Sequence, residues 1–476
     1  MKRKLLFTAL ALVVLLVAAG LIAKQVLVGY LTPDFVVRQI ESHWNCRAEV
    51  TEVNVHLLGT ATVELRGVAL APRDSFADDA TPLEERTPLP DGTAELQSGS
   101  VLLEIRPGEL IRRHLNIRQL VIDGLQVSTT INRDGDASLE KLFDEPAKPV
   151  LPLVASEAPT PKETGGPEEG TTVSDEESFH AGDLNFSAAA DRMEVKDGQL
   201  AFHVEASGAE IRLESFSLAL TDIDVDPGEL DVHNRAAAEF GGDLIVRPPA
   251  DSPAPSDLDY LNAHISGNGR IQPFNPETGE VDPVWTVNLT IHQGAEISTF
   301  PVIAQLQNLL KDVDTAGVDL SDLNLRGTLL ADATTAIGHA EGKYLIKEPL
   351  ALQLPDTLLQ IEQGSWFHTG TNEHKMKATL VASETLTHQI EGKVDAYLQR
   401  KAGNLASANL RSLLMSPVMK DGQLTIEVSS KGDLSKPKVD LVTPLGNLSE
   451  VLGVSKDTMD SLEKTGKALL KNLFGK

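Results

Sequence analysis

The sequence predicts a mainly β protein with a few helices, in which an N-terminal transmembrane helix is followed by an elongated, curved antiparallel sheet. Three observations predict this class. Residues 5–23 contain no charged side chain. Much of the remaining chain alternates apolar and polar residues with a period of two, as half-buried strands do. Asp-Gly dipeptides interrupt this alternation three times, and Asp-Gly is typical of two-residue β-hairpin turns.

The apolar segment 5–23 reads LLFTALALVVLLVAAGLIA and follows three basic residues at positions 2–4. At about 1.5 Å per helical residue it spans roughly 29 Å, the thickness of the hydrocarbon core of a bilayer. Basic residues before the span favour a cytoplasmic N-terminus. The alternative is a cleaved secretory signal, whose apolar region is shorter, about 7–15 residues. Because apolar sequence continues to Leu31, we predict an uncleaved anchor over residues 1–31. Both interpretations export the chain.

The exported part is strongly acidic, with 38 basic against 69 acidic residues and a formal charge of −31. Nucleic-acid binding depends on clustered Lys and Arg, so this composition argues against a nucleic-acid partner. Cys46 is the only cysteine. An intramolecular disulfide and a multi-thiolate metal site are therefore excluded, and burial and strand pairing must stabilise the fold.

Changes in composition and periodicity divide the chain after the anchor. Thr32-Pro33 resembles a helix N-cap followed by proline at the first helical position, which predicts a helix to about His43. Alternating residues then predict a hairpin around 50–70 and a strand over 94–105. The predicted units are an N-terminal sheet unit, an insert, a main β body and a C-terminal amphipathic helix, over 32–143, 144–183, 184–445 and 446–476.

The insert 144–183 holds six prolines, ten acidic residues and two lysines. It cannot bury enough apolar area to offset its chain entropy, and we expect it to be disordered. The segment 247–257 is a second soft stretch, rich in Pro, Asp and Ser. Beyond it we expect strands over 258–272 and 284–292.

Later elements are predicted from the same patterns. A helix is expected to begin at Pro301, more strands to follow to about residue 400, and a helix to occupy 404–415. The C-terminal helix 446–476 has an apolar stripe and a lysine-bearing face, so it either covers an open end of the sheet or contacts a membrane or partner.

Three of the five Asp-Gly dipeptides, at 123–124, 197–198 and 421–422, each lie between runs with one apolar face. We interpret all three as hairpins. The apolar phase slips by one residue between Leu213 and Phe216, which predicts a β-bulge. Continuous apolar faces would line a groove, although an ordinary packed sandwich produces the same alternation. The candidate lining residues are Leu120, Ile122, Leu125, Val127, Leu200, Phe202, Val204, Phe216, Leu218, Leu424, Ile426 and Val428.

The sequence contains none of the catalytic or phosphate-binding signatures sought, including GxSxG, HExxH and GxxxxGK[ST]. The alternating oxygen-bearing residues at 132–138 place Gly135 at the fourth position of a would-be calcium loop, where an EF-hand needs glycine at the sixth. We therefore expect a non-enzymatic protein without a cofactor or metal site.

Several segments together resemble AsmA-like proteins, which are related to TamB. The resemblance lies in the anchor, the Thr-Pro helix and LGTATVELRGVAL near residue 60. It continues in LNIRQLVIDGLQVSTTINRDGDASLEKLF over 115–143 and in the GDLSKPKV segment at 432–439. It covers residues 1–143 and 415–442 well, and the middle only generally. The sequence departs from the family at Asn45-Cys46-Arg47 and in the acidic insert.

The resemblance implies a single-pass protein of the bacterial inner membrane, with a cytoplasmic N-terminus and a periplasmic body. It also implies a chorein-like β-groove that shields or conducts phospholipid acyl chains during outer-membrane and envelope biogenesis. The expected partners are the inner membrane, phospholipid and other envelope proteins. The alternative is an envelope assembly or scaffold protein that binds proteins and carries no lipid.

Overall fold

The computed structural model describes residues 32–442, apart from 57–59, 74–80, 107, 109–113, 134–135, 145, 147–179, 185, 206–207, 249–258, 299–325, 341, 369–370, 372, 403–414 and 434–436. The expected anchor, the C-terminal helix and the helix starting at Pro301 lie outside the described residues. Most of the acidic insert, of the soft segment and of the 404–415 helix also lies outside them.

The described chain is mainly β. Its α-helices are α1 (Pro33–His43) and α2 (Glu384–Ala402). Short 3-10 helices are η1 (Leu83–Glu85), η2 (Ser138–Phe143), η3 (Ala181–Asp183) and η4 (Ser416–Val418). The first strands are β1 (Cys46–Glu49), β2 (Glu52–His56), β3 (Ala61–Pro72), β4 (Leu96–Ile105), β5 (His114–Asp123), β6 (Gln126–Ile131), β7 (Ser187–Val204), β8 (Ala209–Val225), β9 (Asn234–Arg247), β10 (Leu261–Phe274) and β11 (Val281–Ile291). The remaining strands are β12 (Glu296–Ile297), β13 (Gly327–Thr328), β14 (Ala333–Ala340), β15 (Lys343–Ile346), β16 (Leu350–Gln353), β17 (Thr357–Ile361), β18 (Trp366–His368), β19 (Glu373–Ala382), β20 (Met419–Lys420), β21 (Gln423–Asp433) and β22 (Lys438–Leu441).

Helix α1 forms where the sequence predicts it. The Thr32 hydroxyl accepts a hydrogen bond from the Phe35 backbone N–H at 3.2 Å, and Pro33 occupies the first turn. The helix buries Val36 and Val37 against the first strands. The predicted hairpin that follows is also confirmed, since β2 pairs antiparallel with β3 with Val53 opposite Leu65.

The strands form one long, predominantly antiparallel sheet. Strands β1 and β2 lie end to end along β3, and β3 pairs with β4. The pairing then runs through β7, β8, β9, β10, β11, β14, β15, β18, β19 and β21 to β22. Strands β5 and β6 lie end to end between β4 and β7, and both run parallel to β7.

Two of the three predicted Asp-Gly hairpins are wrong. At Asp123-Gly124 the chain does not turn back, because β5 and β6 continue in one direction along β7. At Asp197-Gly198 the chain stays within the single strand β7 and forms a bulge. In both cases a neighbouring strand takes up the hydrogen bonds that a hairpin would have formed. Gly124 donates to the Lys196 carbonyl at 3.0 Å, so the two dipeptides lie next to each other in the sheet.

The third Asp-Gly hairpin and the predicted bulge are confirmed. Strands β20 and β21 pair through Lys420 and Gln423, and the two turn residues Asp421 and Gly422 both have positive φ. In β8 the pairing with β9 slips between Glu214 and Ser217, and the intervening Ser215 has φ of 50°.

Helix α2 corrects the expectation of strands to about residue 400. Its first turn is capped by Ser383, whose hydroxyl accepts from the Leu386 N–H at 3.2 Å. Leu386, Ile390 and Val394 recur every four residues and are buried. This spacing is helical, but Gly392 and the β-branched residues around it weaken the helical signal in the sequence.

Two large buried clusters lie at different parts of the sheet. We call them the proximal core, which includes Val36, Cys46 and Ile117, and the distal core, which includes Leu380, Ile390 and Ile426. Helix α1 and the 3-10 helix η2 contribute side chains to the proximal core, and helix α2 contributes to the distal core.

Candidate functional site

Between the two cores, one face of the sheet carries apolar side chains that are only half-buried. We call this the inner face, because the paired residues Met193 and Leu220 on the same face are buried in the proximal core. None of these half-buried residues belongs to a buried cluster. We call them the apolar tract, defined as Val127, Leu200, Phe202, Val204, Ile211, Leu213, Phe216, Leu244 and Val246.

The strand register brings these residues together across four strands. Val127 of β6 is opposite Leu200 of β7, which is opposite Leu213 of β8 and then Leu244 of β9. A second row starts with Phe202 and continues with Ile211 and Val246 through the same pairings. Paired residues point to the same face, so each row is a continuous apolar band.

Local irregularities keep the rows on one face. Between Met193 and Phe202 the apolar residues change from odd to even positions, and the change falls at Asp197-Gly198 with its φ of 48° at Asp197. An extra residue in a strand reverses the alternation, so the bulge returns apolar side chains to the inner face. Gly198 is packed closely there, because an added Cβ would lie 3.1 Å from the Phe216 ring.

The opposite face, which we call the outer face, is charged over the same strands. Arg212 lies 2.7 Å from Glu210, and Arg247 lies 3.5 Å from the same carboxylate. His264 lies 2.8 Å from Asp243. Over these strands the inner face therefore carries half-buried apolar side chains, and the outer face carries ion pairs.

The twelve predicted lining residues share the inner face but do not share one environment. Leu200, Phe202, Val204, Phe216 and Val127 belong to the apolar tract, and Leu125 is also half-buried. Leu120 belongs to the proximal core, Leu218 packs against it, and Ile122 is also buried. Leu424, Ile426 and Val428 are buried in the distal core.

Sequence reasoning did not include β9 in the lining. Its segment NRAAAEFGGDLIVR has Ala236, Ala238 and Gly242 at inner positions, which weakens the apolar alternation. Leu244 and Val246 follow these small residues at the end of the strand. The pairing with β8, which cannot be deduced from periodicity, places them in the tract.

An aromatic row extends the inner face at one edge. Trp285, His339, Tyr344 and Phe367 are consecutive cross-strand partners, with Tyr344 and Phe367 stacked at 4.6 Å between ring centroids. Burial raises the pKa of Tyr344 to about 12 and lowers the pKa of His339. Both shifts favour the neutral forms, so the row presents an uncharged aromatic surface.

Comparisons with protein-family models and with curated proteins gave no match to this chain. Within the residues described, neither α-helix combines the length and the hydropathy needed to cross a membrane. The same part of the chain contains no group of three metal-ligating side chains.

Proposed function

We propose that this chain is an AsmA-like, non-enzymatic envelope protein, anchored in the bacterial inner membrane with its bulk in the periplasm. In this proposal the apolar tract shields or conducts phospholipid acyl chains for outer-membrane and envelope biogenesis. The observation that carries the proposal is the apolar tract. Its side chains are half-buried, whereas the proximal and distal cores on the same face of the sheet are fully buried.

The size and chemistry of the tract suit an acyl chain. Four strands at about 4.8 Å spacing give a surface roughly 15 Å across. Its side chains are aliphatic apart from Phe202 and Phe216, and they offer no hydrogen-bonding group. Each methylene moved from water to such a surface gains about 0.8 kcal/mol, so a short run of methylenes provides substantial affinity.

The membrane part of the proposal is supported by the uncharged segment 5–23, by the basic residues before it and by the resemblance of residues 1–143 to AsmA-like proteins. A tag after Lys476, tested for protease access in spheroplasts, checks the topology. Protection of the tag in intact spheroplasts would contradict a periplasmic body.

The decisive experiment is lipid analysis of the full chain purified in mild detergent, with a pair of matched variants. Phe202→Glu places a carboxylate in the apolar tract. Ala201→Glu places the same group one residue away on the outer face, next to Arg212. We expect co-purifying phospholipid with the wild-type chain and with Ala201→Glu, and a large loss with Phe202→Glu.

The outcome separates the two candidate functions. If no phospholipid accompanies the wild-type chain, or if both variants retain it equally, lipid carriage is contradicted. The same variants tested for co-purifying envelope proteins would then address the scaffold function. A circular dichroism spectrum of each variant confirms that it is folded.

A further inference from the structure

One cross-strand row on the outer face is rich in basic residues. It crosses eleven strands, from β7 to β22, and each member is the register partner of the next. At about 4.8 Å per strand it runs roughly 50 Å along the sheet. We call it the basic row, and its members are Arg192, Thr221, Ala237, Arg270, Thr286, Gly338, Leu345, Trp366, Lys375, Lys431 and Lys438.

No member of the row is acidic, although the whole chain has a formal charge of −27. A further cation joins it at Gly338, because the Lys347 side chain crosses that glycine and donates to the Thr286 hydroxyl at 2.7 Å. A Cβ on Gly338 would meet the Lys347 side chain, whose flexible end would then have to shift.

Three lysines end the row as direct neighbours. Lys375 is opposite Lys431, and Lys431 is opposite Lys438. All three are exposed, and among the described residues none has a carboxylate within ion-pair distance. Like charges directly opposite each other destabilise a sheet. An anion that lies across them would remove that repulsion.

At the other end, two arginines border a shallow groove of about 460 Å³. Arg192 lies at one side and forms an ion pair with Glu194, at 3.1 Å. Arg270 lies at the other side and, within the described residues, has no ion-pair partner. The groove between them is lined by small side chains, hydroxyls and amides and by one carboxylate, Glu239. The uncharged polar residues are Thr221, Thr286, Asn268 and Asn288.

Two apolar residues of the row, Leu345 and Trp366, lie between the arginines and the lysines. Leu345 is 38% exposed, and its register partner Trp366 is partly exposed. The Lys343 ammonium lies 5.6 Å from the Trp366 ring centroid. An indole beside cations offers a flat surface for the C–H face of a sugar ring and a charge for its acidic group.

We propose that the basic row binds a single chain of an anionic polysaccharide, lying across the strands. The row is one residue wide. Acidic side chains border it at each end, with Glu194 and Glu239 beside the arginine end and Glu373 and Asp433 beside the lysine end. A flat anionic membrane would meet these carboxylates, whereas a single polymer chain passes alongside them.

The spacing of the cations favours a polysaccharide over a nucleic acid. Arg192 and Arg270 are three strands apart, about 14 Å, and the Lys347 ammonium, which contacts Thr286 on the next strand, is about 5 Å further along. A DNA strand carries a phosphate about every 3.4 Å, a much denser charge than these cations match. The hydroxyls and amides between the arginines suit the neutral hydroxyls of sugars.

The test measures binding of the full detergent-solubilised chain to immobilised alginate, with dextran as the neutral polymer. One variant removes the clustered charges (Lys375→Gln, Lys431→Gln and Lys438→Gln). A matched control removes three exposed charges that are not next to any member of the row (Arg38→Gln, Arg66→Gln and Lys141→Gln). We expect alginate affinity to fall about tenfold in the first variant, with a weaker salt dependence, and to stay within about twofold in the control.

The proposal is overturned if the wild-type chain does not bind alginate, or if both triple variants lose affinity equally. It is also overturned if phosphatidylglycerol vesicles or single-stranded DNA bind more tightly than alginate through the same lysines. The lysine variant relieves like-charge repulsion, so its urea midpoint should be no lower than that of the wild type. If the lysine variant shows both a lower urea midpoint and weaker binding, the Arg270→Gln variant is measured instead. The proposal then requires that Arg270→Gln weakens alginate binding without changing the urea midpoint.

Discussion

Whether the apolar tract is an open surface can be tested by the cost of the same truncation at two places. Leu213 lies in the tract on β8, and Leu424 lies in the distal core on β21, where it is 1% exposed. Both are leucines in strands, so the change to alanine removes the same atoms and changes strand propensity by the same amount. Only the surroundings differ.

The expected costs follow from burial. A fully buried leucine loses transfer free energy and leaves a cavity, so Leu424→Ala should cost about 3 kcal/mol of unfolding free energy. A half-buried leucine loses about half of the transfer free energy, and water or a neighbouring side chain fills the space. Leu213→Ala should therefore cost about 1 kcal/mol.

Urea unfolding of the full chain in detergent, followed by tryptophan fluorescence, measures the difference. The shift of the midpoint at a common m-value gives the change in unfolding free energy. If Leu213→Ala costs as much as Leu424→Ala, the tract is the interior of a packed structure. The sandwich alternative would then be correct, and the inference of an open lipid-binding face would be wrong.

Three other predictions concern single sites. Burial raises the pKa of the Cys46 thiol to about 12, so iodoacetamide at pH 8 should label the folded chain far more slowly than the urea-unfolded chain, and rapid labelling of the folded chain would contradict this placement. The Asp224 carboxylate, which lies 2.8 Å from the His233 ring, raises the pKa of that exposed imidazole above its ordinary value. Its contribution to stability is present at low pH and is lost as the pH rises through the raised value, and an NMR titration should show the pKa falling back in Asp224→Asn. Finally, a Cβ on Gly269 would lie 2.2 Å from a carbonyl oxygen of the neighbouring strand, whereas Gly392 in α2 has open space. Gly269→Ala should therefore lower the urea midpoint. Gly392→Ala should raise the midpoint, with a gain of up to about 1 kcal/mol in the free energy of unfolding. Equal effects of the two changes would show that the close strand approach does not affect stability.

The sequence carries enough information for the local elements and for the one-sided character of the strands. Helix α1 could be predicted because Thr32 and Pro33 act through local hydrogen bonding and backbone geometry. The bulge at Ser215 could be predicted because a single added residue reverses the apolar alternation on either side of it. These signals are contained within a few consecutive residues.

Strand partners could not be predicted in the same way. Asp197-Gly198 and Asp421-Gly422 are embedded in the same five letters, KDGQL, yet one forms a bulge and the other a hairpin turn. The difference lies in their neighbours, since β7 has β6 and β8 on its two sides to continue the pairing. The environment of Leu424 is likewise set by helix α2, which lies elsewhere in the sequence.

The parallel pairing of β5 and β6 with β7 has a consequence for how the chain is made. Between the end of β6 and the start of β7 lie residues 132–186. At 5–20 residues per second, synthesis takes roughly 4–15 s to proceed from the end of β6 to the end of β7. During that interval β5 and β6 have an unsatisfied hydrogen-bonding edge, which is a template for misassembly. Until β7 is made, the growing chain therefore exposes this edge to other strands.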